Sequence, residues 1–399
     1  MAEELGDFSN PPYGASTDAP PPAAPEKITP AAIEGFDPAT SVLLEQTEIE
    51  DIYQNADGSV SVQRHGDAVR VEQSDGSFKD ADPTLTEASS ADLPPAAEDV
   101  AGVADLDAFV KSEEHPLAPV VGEQADSGMV SLADEGASVR ITPVDAPADS
   151  TAQQVSDTEV SFPGASEGSD VIYEFTAGTV KESITVTEAP GETGATSWSF
   201  WLDIEGASPV LTDDGAIELR KDDGAVAMML PVPYSFDSSG IEDQQEPRDT
   251  NGSYTLTQDG SRWVLSVHMD RTWMNDPSLV YPVTVDPTVM PSYFNDARSV
   301  KSDGTVVMGS PVRLGNPNEP SGAKWRGLVH WDYSKYFNKG YQLVNAEVEL
   351  ARTGGTANAF GASMWTANGY GFANAGTNMA YAPWFGDSAD LIGSPLGPV

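Results

Sequence analysis

Histidine is the residue type with the most direct chemical use in this sequence, and four are present: His65, His115, His268 and His330. No two of them have the spacing of metal ligands on one helix or strand. Ser266, His268 and Asp270 match the residue types of a hydrolase triad, but a fold assembles triads from distant positions. We therefore assign no catalytic residue and interpret His268 as a satisfied edge-strand histidine, with catalysis as the less favoured alternative.

A second pattern, Gly164-Ala-Ser-Glu-Gly168, has the G-x-S-x-G form of a nucleophile elbow. That motif requires a strand before the serine and a helix after it. Pro163 precedes the pattern, and the strand-like residues 171–175 follow it closely. The pattern therefore predicts a hairpin turn.

Carboxylates are the most abundant candidate groups, with 63 acidic residues in 399. Asp203 and Glu205 share one predicted strand face with Trp201, as a sugar platform with nearby acids would require. We favour a solvated face partly covered by Trp201. The opposite face, which we expect to point into the core, carries Trp198, Phe200 and Leu202.

Aromatic residues are concentrated between positions 325 and 384, and aromatic faces can stack on sugar rings. The alternative is that most of them fill a core. The ligand-binding candidates chosen from this region are Trp325, Tyr333, Trp365 and Asn358. Arg326 and Asp332 flank the strand-like residues 327–331, where an arginine–carboxylate pair would have a structural role.

Cysteine is absent, which excludes disulfides, thiolate zinc sites and cysteine nucleophiles. The sequence contains no phosphate loop, dinucleotide fingerprint or metal motif. We therefore expect no cofactor. Weak Ca²⁺ binding on clustered carboxylates remains an alternative, although no D-x-[DN]-x-[DN]-G loop occurs.

The formal net charge is −43, and it is unevenly distributed. Residues 291–399 contain eight basic and eight acidic residues, so the whole excess lies before position 291. This shift predicts a boundary near residue 290. Because an acidic surface repels phosphate, we expect no nucleic-acid partner and no insertion into anionic membranes.

Short alternating segments separated by Asp-Gly pairs predict antiparallel hairpins throughout the chain. The expected fold is all-β: a small β-meander followed by two β-sandwich-like domains, with a disordered acidic, Pro-rich leader and linker. The predicted limits are a leader at 1–40, the meander at 41–85, the linker at 86–127, a sandwich at 128–288 and an incomplete sandwich at 289–399.

Export cannot be argued from a leader, because the first residues lack the basic and apolar regions of a signal peptide. No apolar run reaches the roughly 18 residues that span a bilayer.

Several short blocks resemble the front of actinobacterial RHS/YD-repeat secreted proteins. These blocks occupy residues 55–59, 69–71, 75–78, 82–85, 160–164, 169–173, 180–182 and 279–288. Residues 312–315, 325–332 and 344–350 resemble a DNRLRE-type domain, whose relatives include carbohydrate-binding modules.

The resemblance implies a non-catalytic structural or adhesive segment, outside the cell or bound to the cell wall, with weak carbohydrate binding. Its implied partners are a downstream YD-repeat shell or cell-wall glycan. Two alternatives remain open: a plug or cargo-handling segment of a polymorphic toxin shell, and a fragment of a carbohydrate-active enzyme.

Overall fold

The structure is a computed structural model of the chain. It describes residues 35–66, 68–93, 107–134, 136–166, 168–239, 247–291, 297–308, 312–313, 325–329, 336, 339–341, 366–367 and 391–392. Within these ranges almost all regular structure is antiparallel β-sheet, and one α-helix of four residues is present.

The first unit is a small meander followed by a two-stranded ribbon. Its strands are β1 (Val42–Gln46), β2 (Glu50–Gln54), β3 (Val60–Arg64), β4 (Arg70–Glu72) and β5 (Phe78–Asp80). Sheet order is β1-β2-β3, and β4 pairs with β5. The two parts are joined by Arg70, whose Nη2 donates to Oδ2 of Asp51 at 2.7 Å.

Nineteen further strands follow the ribbon: β6 (Asp82–Glu87), β7 (Ala108–Glu114), β8 (Val120–Gly122), β9 (Val130–Asp134), β10 (Ala137–Pro143), β11 (Gln153–Ser156), β12 (Glu159–Ser166), β13 (Ser169–Phe175), β14 (Val180–Val186), β15 (Ser197–Glu205), β16 (Ser208–Leu211), β17 (Ile217–Arg220), β18 (Val226–Leu230), β19 (Tyr234–Phe236), β20 (Asp249–Asn251), β21 (Ser253–Asp259), β22 (Arg262–His268), β23 (Val283–Asp286) and β24 (Met290–Pro291). Helix α1 (Arg271–Met274) lies between β22 and β23, and 3-10 turns occur at Ser90–Asp92 and Ala125–Ser127.

These strands build three sheets. An eight-stranded sheet has the order β21-β22-β15-β10-β9-β8-β7-β6, and a seven-stranded sheet has the order β11-β12-β13-β14-β23-β19-β20. Side chains from both sheets meet in one buried apolar cluster. Strand β14 shows why the sheets pack together, because every second residue along it is buried and the residues between are half-buried.

The third sheet, β16-β17-β18-β24, separates two cores. Met228 packs into the large core, whereas its neighbour Met229 packs into a second, smaller cluster. Successive side chains of a strand point to opposite faces, so β18 is buried on both sides. Gly215 and Gly224 form the hairpin turns on either side of β17, each with φ of 87°, which is the left-handed region that glycine adopts without strain.

The second cluster includes side chains of the next strands, among them Val300 and Val306. The strands beyond β24 are β25 (Ala297–Lys301), β26 (Val306–Met308), β27 (Trp325–Val329), β28 (Thr366–Ala367) and β29 (Leu391–Ile392). They pair as β26-β25-β27 and as β28-β29. The change in charge near residue 290 therefore does not coincide with a break in packing.

The all-β prediction, with sandwich-like layers and Asp-Gly hairpins, is confirmed. One range differs from its assignment, because β7 and β8 lie within residues 86–127, which the composition assigns to a linker. Val110 and Ser112 of β7 are both buried. The leader residues 1–34 lie outside the described ranges.

Candidate functional site

His268 is held by a hydroxyl group on each side of its ring. It ends β22, which lies between β21 and β15 in the eight-stranded sheet, so the expected position on an edge strand is wrong. Its Nδ1 lies 2.9 Å from Oγ of Ser197 on β15, and its Nε2 lies 2.8 Å from Oγ1 of Thr255 on β21. Both hydroxyl residues are exposed, and the imidazole is half-buried. In a neutral imidazole one ring nitrogen accepts and the other donates, so the tautomer decides which of the two hydroxyls is the donor.

The three residues that are adjacent in sequence do not form a triad. Oγ of Ser266 lies 2.8 Å from Oγ of Ser199, away from the imidazole. Asp270 caps helix α1 instead, and its Oδ1 accepts hydrogen bonds from the backbone N–H groups of Thr272 at 2.5 Å and Trp273 at 3.2 Å. The fold therefore assembles a Ser197–His268–Thr255 group across three strands, with the residue types of a nucleophile, a base and an orienting partner.

Arg271, just after the cap, ties α1 to the loop that leads into β15. Its guanidinium donates to the carbonyl oxygens of Gly191 and Gly194, each at 2.9 Å, and to Oγ1 of Thr196 at 3.1 Å. Asn275 adds a pair of hydrogen bonds to the backbone of Gly191. Because Thr196 precedes Ser197, this anchor also positions the start of the His268 group.

Two depressions flank α1. One of about 640 Å³ is lined by Gly191, Glu192, Arg271, Thr272, Asn275, Asp276 and Pro277. The other, of about 160 Å³, is lined by Arg248, Asp249, Trp273, Asp276, Ser278, Leu279, Lys301 and Asp303. Asp276 lines both, so the two depressions meet at the end of this helix.

The sugar platform around Trp201, which was the less favoured alternative from the sequence, is covered. Arg262 donates to both carboxylate oxygens of Asp203, at 2.6 and 2.9 Å, and its guanidinium carbon lies 4.5 Å from the centre of the Trp201 ring. Asp203 is 5% exposed, so it is not the solvated acid that the sequence predicts. Arg140, opposite Asp203 in the register, is also buried, and this burial lowers its pKa.

The Gly164–Gly168 pattern forms the β12–β13 hairpin, as its sequence predicts. Ser166 pairs with Ser169 across the turn. Gly164 and Gly168 both have positive φ, of 64° and 70°. No helix follows the serine, because β13 begins directly after the turn, so an exposed nucleophile elbow is not formed.

Only part of the predicted aromatic site falls within the described residues. Trp325 is 3% exposed, and its ring has Arg313 and Lys301 at 5.3 and 5.5 Å from its centre. Protein cations therefore lie where a sugar would stack. Arg326 lies in β27, opposite Val300. The remaining candidates, Asp332, Tyr333, Asn358 and Trp365, lie outside the described residues.

Among the described residues, no three His, Asp or Glu side chains form a group that could hold a metal ion. In the same ranges, no helix has the length and apolar character needed to cross a membrane.

The sequence drew attention to His268 but favoured a structural role for it, and it did not indicate Ser197, Thr255 or Arg271. Strand pairing brings the two hydroxyl residues to the imidazole from 71 and 13 residues away. One signal was available, since β15 and β21 both begin with polar residues that alternate with apolar ones. The pairing itself was not readable, because register depends on which strands become neighbours.

No family model matches this chain, and no solved structure matches it. It is similar to three curated nucleases. The tRNA(Glu)-specific nuclease WapA of Bacillus subtilis subsp. natto (strain BEST195) is 25% identical over 273 residues, covering 67% of this chain and 11% of that protein. The tRNA nuclease WapA of Bacillus subtilis (strain 168) is 25% identical over 275 residues, with the same two coverages. The tRNA3(Ser)-specific nuclease WapA of Bacillus spizizenii is 32% identical over 101 residues, which is 25% of this chain and 4% of the relative.

These similarities correct the expected family. No model of an RHS/YD-repeat or DNRLRE-type family matches, and the similar proteins are named as tRNA nucleases. The blocks behind the earlier resemblance are mainly strands and Asp-Gly turns. Such blocks recur in antiparallel β-proteins of many families, which limits their specificity.

Three functional expectations are corrected by the same names. The interpretation as a non-catalytic structural or adhesive segment, the expectation of no enzyme activity and the exclusion of nucleic acid all conflict with relatives named as tRNA nucleases. The expected partners, a YD-repeat shell or cell-wall glycan, were implied by the same resemblance and are corrected with it. The chain spans about 11% of the length of the relatives it matches along two thirds of its residues, and its net charge describes that segment alone.

Proposed function

We propose that this chain is part of a nuclease that cleaves tRNA, and that the Ser197–His268–Thr255 group takes part in the cleavage. The role of this group in cleavage is carried by the hydrogen bonding of His268, whose two ring nitrogens both lie within hydrogen-bond distance of hydroxyl groups at the sheet surface. Membership of a tRNA-cleaving nuclease is supported by the relatives, which match two thirds of the chain and are named for action on tRNA.

The chemistry of RNA cleavage fits an imidazole bordered by hydroxyl groups. A ribose 2′-hydroxyl that replaces one of the two protein hydroxyls would pass its proton to His268. The 2′-oxygen then attacks the adjacent phosphorus, and the bond from phosphorus to the 5′-oxygen breaks. The imidazolium returns its proton to that 5′-oxygen, which leaves a 2′,3′-cyclic phosphate and a 5′-hydroxyl.

Arg271 supplies a cation beside this group. It is exposed, and it contacts Thr196, the residue before Ser197. A fixed guanidinium near the scissile phosphate would stabilise the charge that develops during attack. Its three contacts with the loop hold it in place before the substrate arrives.

The test is cleavage of unmodified tRNA by the purified full-length chain, followed on denaturing gels. We expect the wild type to cleave and His268→Gln to lose at least about tenfold in rate, within the range of general-base catalysis. The matched control is His65→Gln, which changes a histidine of the meander that contacts Asp51 at 3.2 Å. Equal rates in both variants would remove His268 from the mechanism. A wild-type chain that neither binds nor cleaves tRNA would contradict the whole proposal.

The proposal includes a place of action. We infer that the nuclease works as a polymorphic toxin, outside the producing cell or at its wall. Support comes from the likeness to the WapA nucleases. Detection of the protein in culture medium and wall fractions tests this part, and recovery from the cytoplasm alone would contradict it.

A further inference from the structure

The smaller depression beside α1 differs from the larger one in its lining. Its volume is about 160 Å³, and it combines one aromatic side chain, Trp273, with cations and carboxylates. Trp273 is half-buried, since one part of the indole packs against the large core. The remaining part borders the depression, where a flat ligand can stack on it.

The charged residues that line this depression differ in how free they are to bind a ligand. Lys301 is 1% exposed, and its Nζ lies 2.5 Å from Oδ1 of Asp249, whose Oδ2 accepts from the Tyr234 hydroxyl at 2.9 Å. Lys301 and Asp249 therefore satisfy each other and form a neutral floor. Neither has spare capacity for a ligand.

Asp276 and Asp303 each have one oxygen engaged in a local turn. Oδ1 of Asp276 accepts from the backbone N–H and the hydroxyl of Ser278, and Oδ1 of Asp303 accepts from the backbone N–H of Thr305. Both residues are exposed. Their second oxygens have no hydrogen-bond partner among the described residues, although Oδ2 of Asp303 lies 3.7 Å from the Lys301 ammonium. Acceptors are thus presented at the rim.

Arg248 supplies donors at the same rim. It is half-buried, and its guanidinium has no hydrogen bond or ion pair among the described residues. The second oxygen of each carboxylate can accept an N–H group, whereas an arginine donates to two adjacent acceptors. Guanine has both edges, with N1–H and N2–H₂ donors on one side and O6 and N7 acceptors on another.

We propose that this depression is a subsite for an unpaired guanine base of the RNA substrate, with Trp273 stacking on the ring, Arg248 donating to it and Asp276 or Asp303 accepting from it. The proposal rests on the proposed function, because the ligand is a base of the RNA that the cleavage group would act on. Asp276 borders both depressions, so a nucleotide bound here continues around the end of α1 toward Arg271.

The test is binding of guanosine to the full-length chain, with cytidine as the comparison, measured by saturation-transfer NMR. A nucleoside is used because it lacks the phosphate that this acidic chain repels. We expect guanosine to bind at least tenfold more tightly than cytidine, and Trp273→Leu to abolish the preference. Trp201→Leu, which changes a half-buried tryptophan on another face, is the matched control and should bind as the wild type does.

Arg248→Met guards against a folding defect in the tryptophan variant, because the Arg248 side chain makes no hydrogen bond among the described residues. It should weaken guanosine binding at least tenfold while leaving the circular dichroism spectrum unchanged. Equal binding of the two nucleosides, or full binding by Arg248→Met, would overturn the subsite.

Failure of the subsite and failure of the proposed function give different results. Guanosine binding by a chain that does not cleave tRNA leaves the subsite in place and removes the nuclease. Cleavage that is unaffected by Trp273→Leu, together with absent guanosine binding, leaves the nuclease in place and removes the subsite.

Discussion

The phenol of Tyr173 donates a hydrogen bond of 2.9 Å to Oε2 of Glu182 in the large core. The two residues are opposite each other on β13 and β14, and they are 0% and 3% exposed. Burial, with a smaller contribution from the nearby carboxylate of Asp286, raises the pKa of Glu182 to about 8, although the hydrogen bond from Tyr173 opposes the rise. The side chain is therefore protonated at neutral pH. Burial also raises the pKa of Asp286. It raises the pKa of Tyr254 as well, and the charges of Glu182 and Asp286 add to that rise.

Glu182 should make the fold less stable as the pH rises. The unfolded chain releases this proton near the ordinary pKa of 4.5, whereas the folded chain keeps it up to about pH 8. The free energy of unfolding therefore falls between these values and levels off above pH 8. Glu182→Gln removes this loss and should be more stable than the wild type at pH 9 by a few kcal/mol, at roughly 1.4 kcal/mol per pKa unit.

Urea unfolding at pH 5, 7 and 9 measures this difference. Glu174→Gln, on the exposed face of β13, is the matched control and should follow the wild type at every pH. A Glu182→Gln variant with the same pH slope as the wild type would contradict a protonated Glu182.

His115 gives the opposite pH dependence. It is 1% exposed, and its Nδ1 accepts the backbone N–H of Leu117 at 3.0 Å, so the folded state holds the neutral ring. Burial lowers its pKa to about 4 from 6.5. The stability due to the neutral ring is present above pH 6.5 and is lost as the pH falls toward 4.

His115→Asn keeps an acceptor and cannot be protonated. Its free energy of unfolding should fall less steeply between pH 6.5 and pH 4 than that of the wild type, as measured by urea titrations. His65→Asn serves as the control for a histidine with 36% of its side chain exposed. Parallel slopes for wild type and His115→Asn would show that the ring is charged in the fold.

Lys301 and Asp249 form a buried ion pair at 2.5 Å, with both side chains 1% exposed. Burial raises the pKa of Asp249, and the Lys301 charge opposes that rise. Lys301→Met leaves a buried carboxylate without its cation and should cost about 3–5 kcal/mol. Adding Asp249→Asn should recover part of this loss.

Thermal or urea unfolding of the single and double variants checks the coupling. Lys181→Met is the control, because Lys181 lies 3.8 Å from Glu174 at the surface and should cost less than about 1 kcal/mol. Additive effects of the two buried substitutions would show that the pair does not stabilise the packing of β25 against the sandwich.

Salt should accelerate the proposed cleavage. The chain carries a formal charge of −43, so bulk repulsion opposes the approach of tRNA. Mobile ions screen that repulsion over about 8 Å at physiological ionic strength. We expect the cleavage rate at low tRNA concentration to rise severalfold between about 0.02 and 0.2 M salt, measured under subsaturating conditions. A steep fall would show that phosphate contacts dominate instead.

Limited proteolysis tests the proposed division into a meander at 41–85, a sandwich at 128–288 and a second sandwich at 289–399. The leader at 1–40 should be cut first, since its composition favours no packed core. Within 86–127, strands β7 and β8 should be protected, because they pair inside the eight-stranded sheet. Mass spectrometry of the fragments locates the cuts, and early cleavage within β7 would contradict the observed pairing.

The sequence alone determined the all-β class and many of the turns. Asp-Gly pairs such as Asp214-Gly215 and Asp223-Gly224 mark hairpins because glycine adopts positive φ at low cost, which is a local property. Alternation along β14 likewise predicts a buried face. The sequence also contained a signal for the burial of Glu182, because this acidic residue lies on the same face of β14 as Val180 and Ile184.

Only the tertiary structure decided which side chains meet. Ser197 and Thr255 reach His268 because β15 and β21 are the two neighbours of β22, and no local pattern specifies those neighbours. Strands β7 and β8 join the sheet although the composition around them resembles a linker. A few of their side chains, such as Val110 and Val121, are buried in the large core. The stability that this burial contributes depends on contacts with residues far away in sequence.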